Sequence, residues 1–542
     1  MMRAALLLTF SIALVSCATT RLDRETYEPD SRDLPSDGLE RGKSGSWERA
    51  SENGLQAHLL GGDVVVFDSW IVTEATVEGV ARRYDAYRNL LESGVVAVTR
   101  DSVAIFVADR RVPDTRSILG KVVFTGASVA LTAFCLTQDK ACFGSCPTFY
   151  VPGEAGEPER LVAEGYSASI SPSLSDRDVD RLGVAHAGGP FKLRMTNEAL
   201  ETHVTRRADV LAVPTPPGGT VFFEGHGTGD GDFWQATAEQ APALCVAAEG
   251  DCLGALAHAD GVERGSPADS TDLGAKETVT LGFTADGGAR HGLVLTGRQS
   301  LLTTFLVYQG LAYAGSDIGG WIAQGETRAR AGVAVSSPIV DLVTDIPVEV
   351  RAPGGSWTEA GVVHEVGPLA RDAHLVVLPE LPAGPVEVRL RPTRGAWRLD
   401  AARMVTLGDR VTPVRVAPSS VLREAADGTA APAPDALAEL TNDARSLVTL
   451  PGTALQLGYA IPEATSDGGW TLFLEAEGYY LEWMRDEWMA ERDPDALAEM
   501  LYDPETALRR LAPAFKAMEA EMDAAFWGSR FVAPAAAPLV DF

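Results

Sequence analysis

The sequence predicts a β-rich α+β chain of several domains. Two stretches, 59–115 and 336–415, alternate Val, Ile, Leu and Phe with polar residues in short runs closed by Gly and Pro, as half-buried strands do. A mixed region lies between them, and the text from Gly478 to Phe531 has apolar residues at helical spacing. With 542 residues, 46% of them hydrophobic, the chain is long enough for more than one core.

The elements follow in order. Residues 1–16 read as an export signal: Arg3 is positive, 4–15 is apolar apart from Thr9 and Ser11, and the run is too short to span a bilayer. It ends in "LVSC", with Cys17 last. This resembles the lipobox of bacterial lipoproteins, which implies cleavage before Cys17 and acylation of its thiol and new N-terminus. Two or three acyl chains anchor a protein stably where one binds marginally. Ala18, rather than an aspartate, implies onward transport to the outer membrane. The competing reading is an ordinary secretory signal with a chance cysteine. Residues 17–58 are polar and lack an apolar period, so they are expected to form a disordered tether.

Residues 59–115 are expected to form a small antiparallel β unit. Residues 116–140 hold an apolar helix, because Val122–Leu136 is 15 residues without a charge. That length is short for a membrane span and suits a buried or interfacial helix better. Residues 141–332 form a mixed α/β domain. "FKLRMTNEALETHVTRRADVLAVPTP" reads as two strands around a polar turn and "GGTVFFEGHGTGDGDFWQA" as a hairpin; a helix is expected near residues 299–314. Residues 336–415 predict a β-sandwich, 424–437 a linker, and 438–534 further strands followed by helices. Pro494, Pro504 and Pro513 are each expected in a first helical turn, splitting the helical text into pieces. Tyr480, Trp483, Met484 and Trp488 would give that text an aromatic core face.

With Cys17 assigned to lipid, five cysteines remain: Cys135, Cys142, Cys146, Cys245 and Cys252. Outside the cytoplasm disulfides persist, and an odd number leaves at least one thiol. The candidate pairs are Cys142–Cys146 and Cys245–Cys252; pairing across the two sets is an equal rival. Cys135 reads as a buried thiol. "CFGSC" has three intervening residues, not the two of a redox motif, and no histidine nearby to complete a zinc site.

Few residues suggest chemistry. "NEALETH" offers Asn197, Glu198, Glu201 and His203, two acids and an imidazole that suit acid–base work or a metal. In a strand Glu201 and His203 share one face and Glu198 points away; the alternative is a turn held by side-chain hydrogen bonds. His226, Asp230 and Asp232 in "GHGTGDGD" mimic part of a calcium loop but lack its remaining oxygen ligands, so a hairpin tip is expected there. There is no phosphate-binding glycine loop, and "GYSAS" lacks the second glycine of a nucleophile elbow. Trp357 and Trp397 are candidates for a carbohydrate platform on the sandwich. Net charge is −29, which argues against nucleic acid as a partner.

The elements "CFGSCPTFY", "LVAEGYSASISPSLSDRDVDRL" and "KLRMTNEALETH" resemble a family of uncharacterised exported bacterial proteins, and "GVVHEVGPLARDAHLVVLP" with "RLRPTRGAWRLD" resembles that family's closing β segment. The resemblance runs from about Gly61 to Asp400 and is patchy. The family's usual Trp-Asp-Gly after the tyrosine is replaced by "VPGEAGEPERL". It implies no reaction and no cofactor.

The expectation is therefore a lipid-anchored envelope protein, non-enzymatic, that binds an envelope protein or a glycan. The rival is an envelope hydrolase or metal-dependent enzyme built on Glu198, Glu201 and His203; a third reading is a thiol-dependent factor. Cys17→Ala is expected to abolish incorporation of a palmitate analogue and to move the protein from the membrane to the soluble fraction on cell fractionation.

Overall fold

A computed structural model describes residues 20–27, 29, 31–32, 34–35, 40–41, 47–48, 54–59, 63–84, 90–113, 146–153, 158–171, 174–199, 201–225, 231–318, 321–322, 328, 338–364, 367–425, 428–442, 445–450, 452–464, 467–482, 488 and 491–530. The signal segment with Cys17, the apolar run 122–136, Cys135, Cys142, His226 and Asp230 lie outside these. The chain is β-rich and divides into two compact units, 1–137 with 311–323 and 484–493, and the remainder. Among the described residues no helix is long and apolar enough to cross a membrane.

Among the described residues the first unit holds a six-stranded antiparallel sheet in the order Thr20–Tyr27, Val103–Pro113, Gly54–Leu59, Val64–Val72, Thr76–Tyr84, Leu90–Thr99, and a short two-stranded one, Glu40–Arg41 with Trp47–Glu48. Alternation places Leu55, Ala57, Val65, Phe67, Val77, Ala81, Val96, Val98 and Phe106 in its core. The pairing register shifts between Phe67 and Ser69, opposite Ala81 and Val80. This bulge lets Phe67 and Trp70, three residues apart, both bury in the same core. The expected tether is partly structured. Thr20–Tyr27 pairs with Phe106–Pro113, Arg100 donates to the carbonyls of Pro29 and Ser31 at 2.5 and 2.6 Å, and Trp70 Nε1 donates to Pro35 O at 2.7 Å. Polar composition concealed this, because backbone pairing orders the segment together with a few apolar residues, Leu34, Leu55 and Ala57, too sparse to show a period.

Among its described residues the second unit carries four large sheets. One runs Arg160–Glu164, Thr148–Val151, Gly189–Thr196, Ala454–Ile461, Ser420–Glu424, Ala430–Pro432. A second runs Asp176–His186, Trp470–Glu482, Glu201–Pro214, Val414–Val416, with Leu447–Thr449 also paired to Glu201–Pro214. These two face each other across a shared core that includes Phe149, Leu193, Leu457 and Tyr459 from the first and Ala208, Val210, Leu472 and Leu474 from the second. The two strands expected around "NEAL" are present, but they lie in different sheets, so that turn is a corner of the sandwich rather than a hairpin.

A third sheet runs Thr220–Glu224, Asp232–Gln240, Trp397–Val411, Arg290–Gln299, Asp372–Val377, and a fourth Gly250–Asp251, Leu244–Ala247, Val279–Ala285, Gly384–Leu390, Ile346–Arg351, Thr358–Val363. The hairpin expected around the Gly-rich tip is the first pair of the third sheet. Val179, Leu211 and Phe473 of the second sheet pack on Val221, Phe223 and Phe233 of the third. The sheets cross every boundary expected between 141 and 534. Strands within 336–415 pair with partners at 232–240 and 279–299, and those at 454–482 with partners at 176–214. Local alternation identifies a strand but not its neighbour.

Three further expectations change. "GYYLE" is the end of strand Trp470–Glu482, not a helix, because both faces of that strand are buried and leave no alternation to read. The expected linker forms a hairpin strand, Ala430–Pro432, and a helix, Pro434–Leu440, whose Ala436 and Leu440 enter the core. Pro494 and Pro504 begin helices, but Pro513 lies inside helix Pro504–Arg530. Leu508, Leu511, Ala512 and Phe515 are buried on both sides of it. Their burial, about 1.5–3 kcal/mol for each large side chain, exceeds the roughly 3 kcal/mol an interior proline costs.

Cys245 and Cys252 form a disulfide within the fourth sheet's short edge, so these two pair with each other. Closing so small a loop restricts the unfolded chain by about 2.5 kcal/mol on the loop-entropy model. Leu474 is fully buried at the centre of the second sheet. Leu474→Ala is expected to destabilise the second unit by about 2–5 kcal/mol, read as a lowered midpoint in urea denaturation.

Candidate functional site

The corner between the two facing sheets gathers three of the four residues singled out in "NEALETH". Asn197 is buried and donates from Nδ2 to Glu201 O at 2.9 Å and Thr449 O at 3.1 Å. Strand Glu201–Pro214 places Glu201 and His203 on one face, where His203 Nε2 lies 2.9 Å from Glu201 Oε2. Both side chains are fully buried. Burial pushes the His203 imidazole down to about 3, so the contact is made by a neutral ring and is a hydrogen bond rather than an ion pair. Glu198 is directed elsewhere: Tyr150 donates its hydroxyl to the Glu198 carboxylate at 3.2–3.3 Å. The nearest recess, lined by Cys146, Glu164, Tyr308, Tyr480 and Glu482 among others, is about 40 Å3, the scale of one or two waters. The group braces a corner and does not meet a substrate-sized space.

The tryptophans do not form a platform. Trp397 is 4% exposed and donates from Nε1 to Thr344 O at 2.7 Å. Trp357 is half-buried, and its ring carries the guanidiniums of Arg351 and Arg389 at 4.2 and 4.3 Å, which occupy the surface a sugar would stack on. Asp232, at the start of strand Asp232–Gln240, is ion-paired to Arg410 at 2.9 Å. Among the described residues no three His, Cys, Asp or Glu side chains converge as metal ligands.

A different feature of the second unit has the properties of a site. A cavity of about 170 Å3 is lined by four arginines, Arg160, Arg181, Arg371 and Arg403, and three carboxylates, Glu239, Asp372 and Asp400. Its apolar wall includes Phe222, Val294 and Leu161. Arg181 projects from strand Asp176–His186. It donates from Nη2 to Thr220 Oγ1 at 2.6 Å, and its guanidinium carbon stands 5.2 Å from the Phe222 ring centre. Burial lowers it to about 10, opposed by Glu239 and Asp372, so it remains a cation at neutral pH.

The same strand breaks register between Arg181 and Ala185, where Gly183 has φ 61°. Only glycine enters this left-handed region at no steric cost. At that bulge Arg160 Nη2 donates to the carbonyls of Leu182 and Gly183 at 3.1 and 3.3 Å. On the facing wall Arg371 Nη1 meets Asp400 Oδ2 at 3.2 Å, and Asp400 Oδ1 accepts from Gly261 N at 2.9 Å. Asp400 is fully buried; burial raises it and Arg371 counters the shift. Arg403 Nε is 3.6 Å from Glu239 Oε2, a carboxylate that burial also raises.

None of these seven residues was singled out in the sequence. They come from segments between 160 and 403 and share no motif. One signal was present. Arg181 follows Val179, which is buried, at the same parity of a strand, and a charge on a core-facing position marks either a buried pair or a site.

No family model matches the chain, and no curated protein matches it. Solved structures with some similarity include an exo-β-1,3-galactanase from Phanerochaete chrysosporium. With β-1,3-galactotriose bound it gives 10% identity over 63% of this chain and 65% of that chain at a TM-score of 0.18; with galactose, 10% over 67% and 69% at 0.19. The secreted serine protease VesC from Vibrio cholerae gives 9% over 43% and 48% at 0.14. The chain thus matches just under two thirds of the first of these. At such TM-scores the likeness assigns neither fold nor activity.

The buried imidazole has a consequence for pH. His203 lies far below its ordinary 6.5 in the folded chain, so its neutral form contributes stability in full above pH 6.5. That contribution is lost as the pH falls from there toward about 3. Urea midpoints of the wild type are expected to fall more steeply below pH 6.5 than those of His203→Gln; equal slopes would show that His203 is not buried in its neutral form.

Proposed function

We propose that this chain is a lipid-anchored protein of the bacterial cell envelope that binds an envelope ligand, held to the outer membrane by acylated Cys17. The observation that carries the binding reading is the cavity. It combines cations, hydrogen-bond acceptors and an apolar wall on side chains projecting from strands or standing at their ends, which suits recognition of a polar ligand. The hydrolase reading on Glu198, Glu201 and His203 has less support, because two of these are sealed and the third faces Tyr150. A glycan is the favoured ligand class over a protein, since a cavity of about 170 Å3 admits one ring or a chain end and not a protein surface.

The test is retention of glycans extracted from the envelope on the immobilised full-length lipoprotein. Retention that falls about tenfold in Arg160→Glu/Arg403→Glu supports the reading, a loss equivalent to about 1.4 kcal/mol. Retention indifferent to these changes, or none at all, overturns it.

A further inference from the structure

We infer that the arginine-lined cavity takes a sugar acid, a polyhydroxylated monocarboxylate such as the terminal uronic acid of a glycan. This rests on the binding reading above and deepens it by naming the ligand's chemistry.

Charge comes first. Four guanidiniums face three carboxylates, so the lining carries one surplus positive charge inside a chain of net charge −29. A monoanion neutralises that surplus. A phosphate dianion would leave excess negative charge beside Glu239, Asp372 and Asp400, and a neutral sugar would leave the surplus cation uncompensated. The cations are also the right kind. A guanidinium presents five N–H donors in a planar fork that matches a carboxylate's two oxygens. Arg403 has its nearest carboxylate oxygen at 3.6 Å, beyond a good hydrogen bond. Arg371 meets Asp400 through one nitrogen, Nη1, at 3.2 Å, and its Nε stands 3.9 Å from Glu263 Oε1, beyond a hydrogen bond. Both side chains keep about 30% exposure, so they reach solvent as well as the cavity. Arg181, half-buried against Thr220 and Phe222, adds positive potential where the surroundings are partly desolvated, so it acts more strongly than a surface charge.

The rest of the lining suits the remainder of a sugar acid. Glu239 accepts hydrogen bonds from hydroxyls, and Thr296 both donates and accepts. Phe222, with Val294 beside it, offers an apolar face to ring C–H groups. A volume of about 170 Å3 is below the roughly 300–1,000 Å3 of pockets for larger ligands. One ring fits, and a longer glycan would continue into solvent past Arg160, which is exposed.

The experiment is calorimetric titration of the full lipoprotein, in detergent, with D-glucuronate, its neutral amide D-glucuronamide, D-glucose and inorganic phosphate. Glucuronate is expected to bind saturably, with the amide, glucose and phosphate each about tenfold weaker or more. Arg403→Gln is expected to weaken glucuronate about tenfold while leaving the thermal midpoint unchanged, since its pair with Glu239 is loose at 3.6 Å; Arg160→Gln, which also gives up the carbonyls of Leu182 and Gly183, is the second variant. If glucose or the amide binds as well as glucuronate, the sugar-acid assignment falls and the glycan-binding reading stands. Preference for phosphate overturns the assignment in favour of a phosphorylated ligand. If no probe binds while envelope glycans are still retained, the assignment alone falls; if both fail, so does the binding reading.

Discussion

The second unit depends on one strand finding its place. Trp470–Glu482 lies between Asp176–His186 and Glu201–Pro214, hydrogen-bonded to both. Its two faces serve two cores: Leu472, Leu474 and Ala476 belong to the sandwich, and Phe473 packs toward the third sheet. Between them sits Glu475, fully buried, ion-paired with Arg177 and accepting from Arg415 Nη2 at 2.8 Å. Arg415 also reaches Asp209 at 3.1 Å, tying the edge strand Val414–Val416 to the same network. A buried carboxylate without its cations costs about 3–5 kcal/mol, so the acid tolerates only the register that brings both arginines to it.

That register also builds the cavity. Arg181 stands opposite Phe473, and the break in pairing follows immediately, reaching Ala185 opposite Thr471. The bulge therefore has a fixed place relative to the central strand. It presents the carbonyls that hold Arg160 and leaves Arg181 directed at Thr220 and Phe222 of the next sheet. The third sheet supplies the opposing acids from strands Asp232–Gln240, Asp372–Val377 and Trp397–Val411. The charged lining is assembled from parts distant in the chain, most of them held by main-chain pairing.

What the sequence made legible follows from this. Strand text with alternation was readable at 64–84, 90–113, 346–351 and 384–390, where one face is wetter than the other. The hairpin around the Gly-rich tip and the helix at Leu302–Ala314 were readable too, because their signals are local. Cys245 and Cys252 were legible as a candidate pair, but spacing left cross-pairing open and the structure decided between them. The sheet order was not legible, since strands 200 or more residues apart carry no mark of each other. Of the candidate residues, one relation was legible. Glu201 and His203 do share a face as their spacing requires, but spacing says nothing about depth, and depth decides whether the pair meets solvent.

The same architecture has a consequence in time. Thr215 and Thr471, whose hydroxyls meet at 2.8 Å, are 256 residues apart. At the usual pace of synthesis, about 5–20 residues per second, strands Asp176–His186 and Glu201–Pro214 emerge roughly 13 to 50 s before the strand that joins them. Through that interval each presents a bare hydrogen-bonding edge, the kind that recruits other chains. A polypeptide wired this way gains from being kept unfolded until the strand Trp470–Glu482 is available.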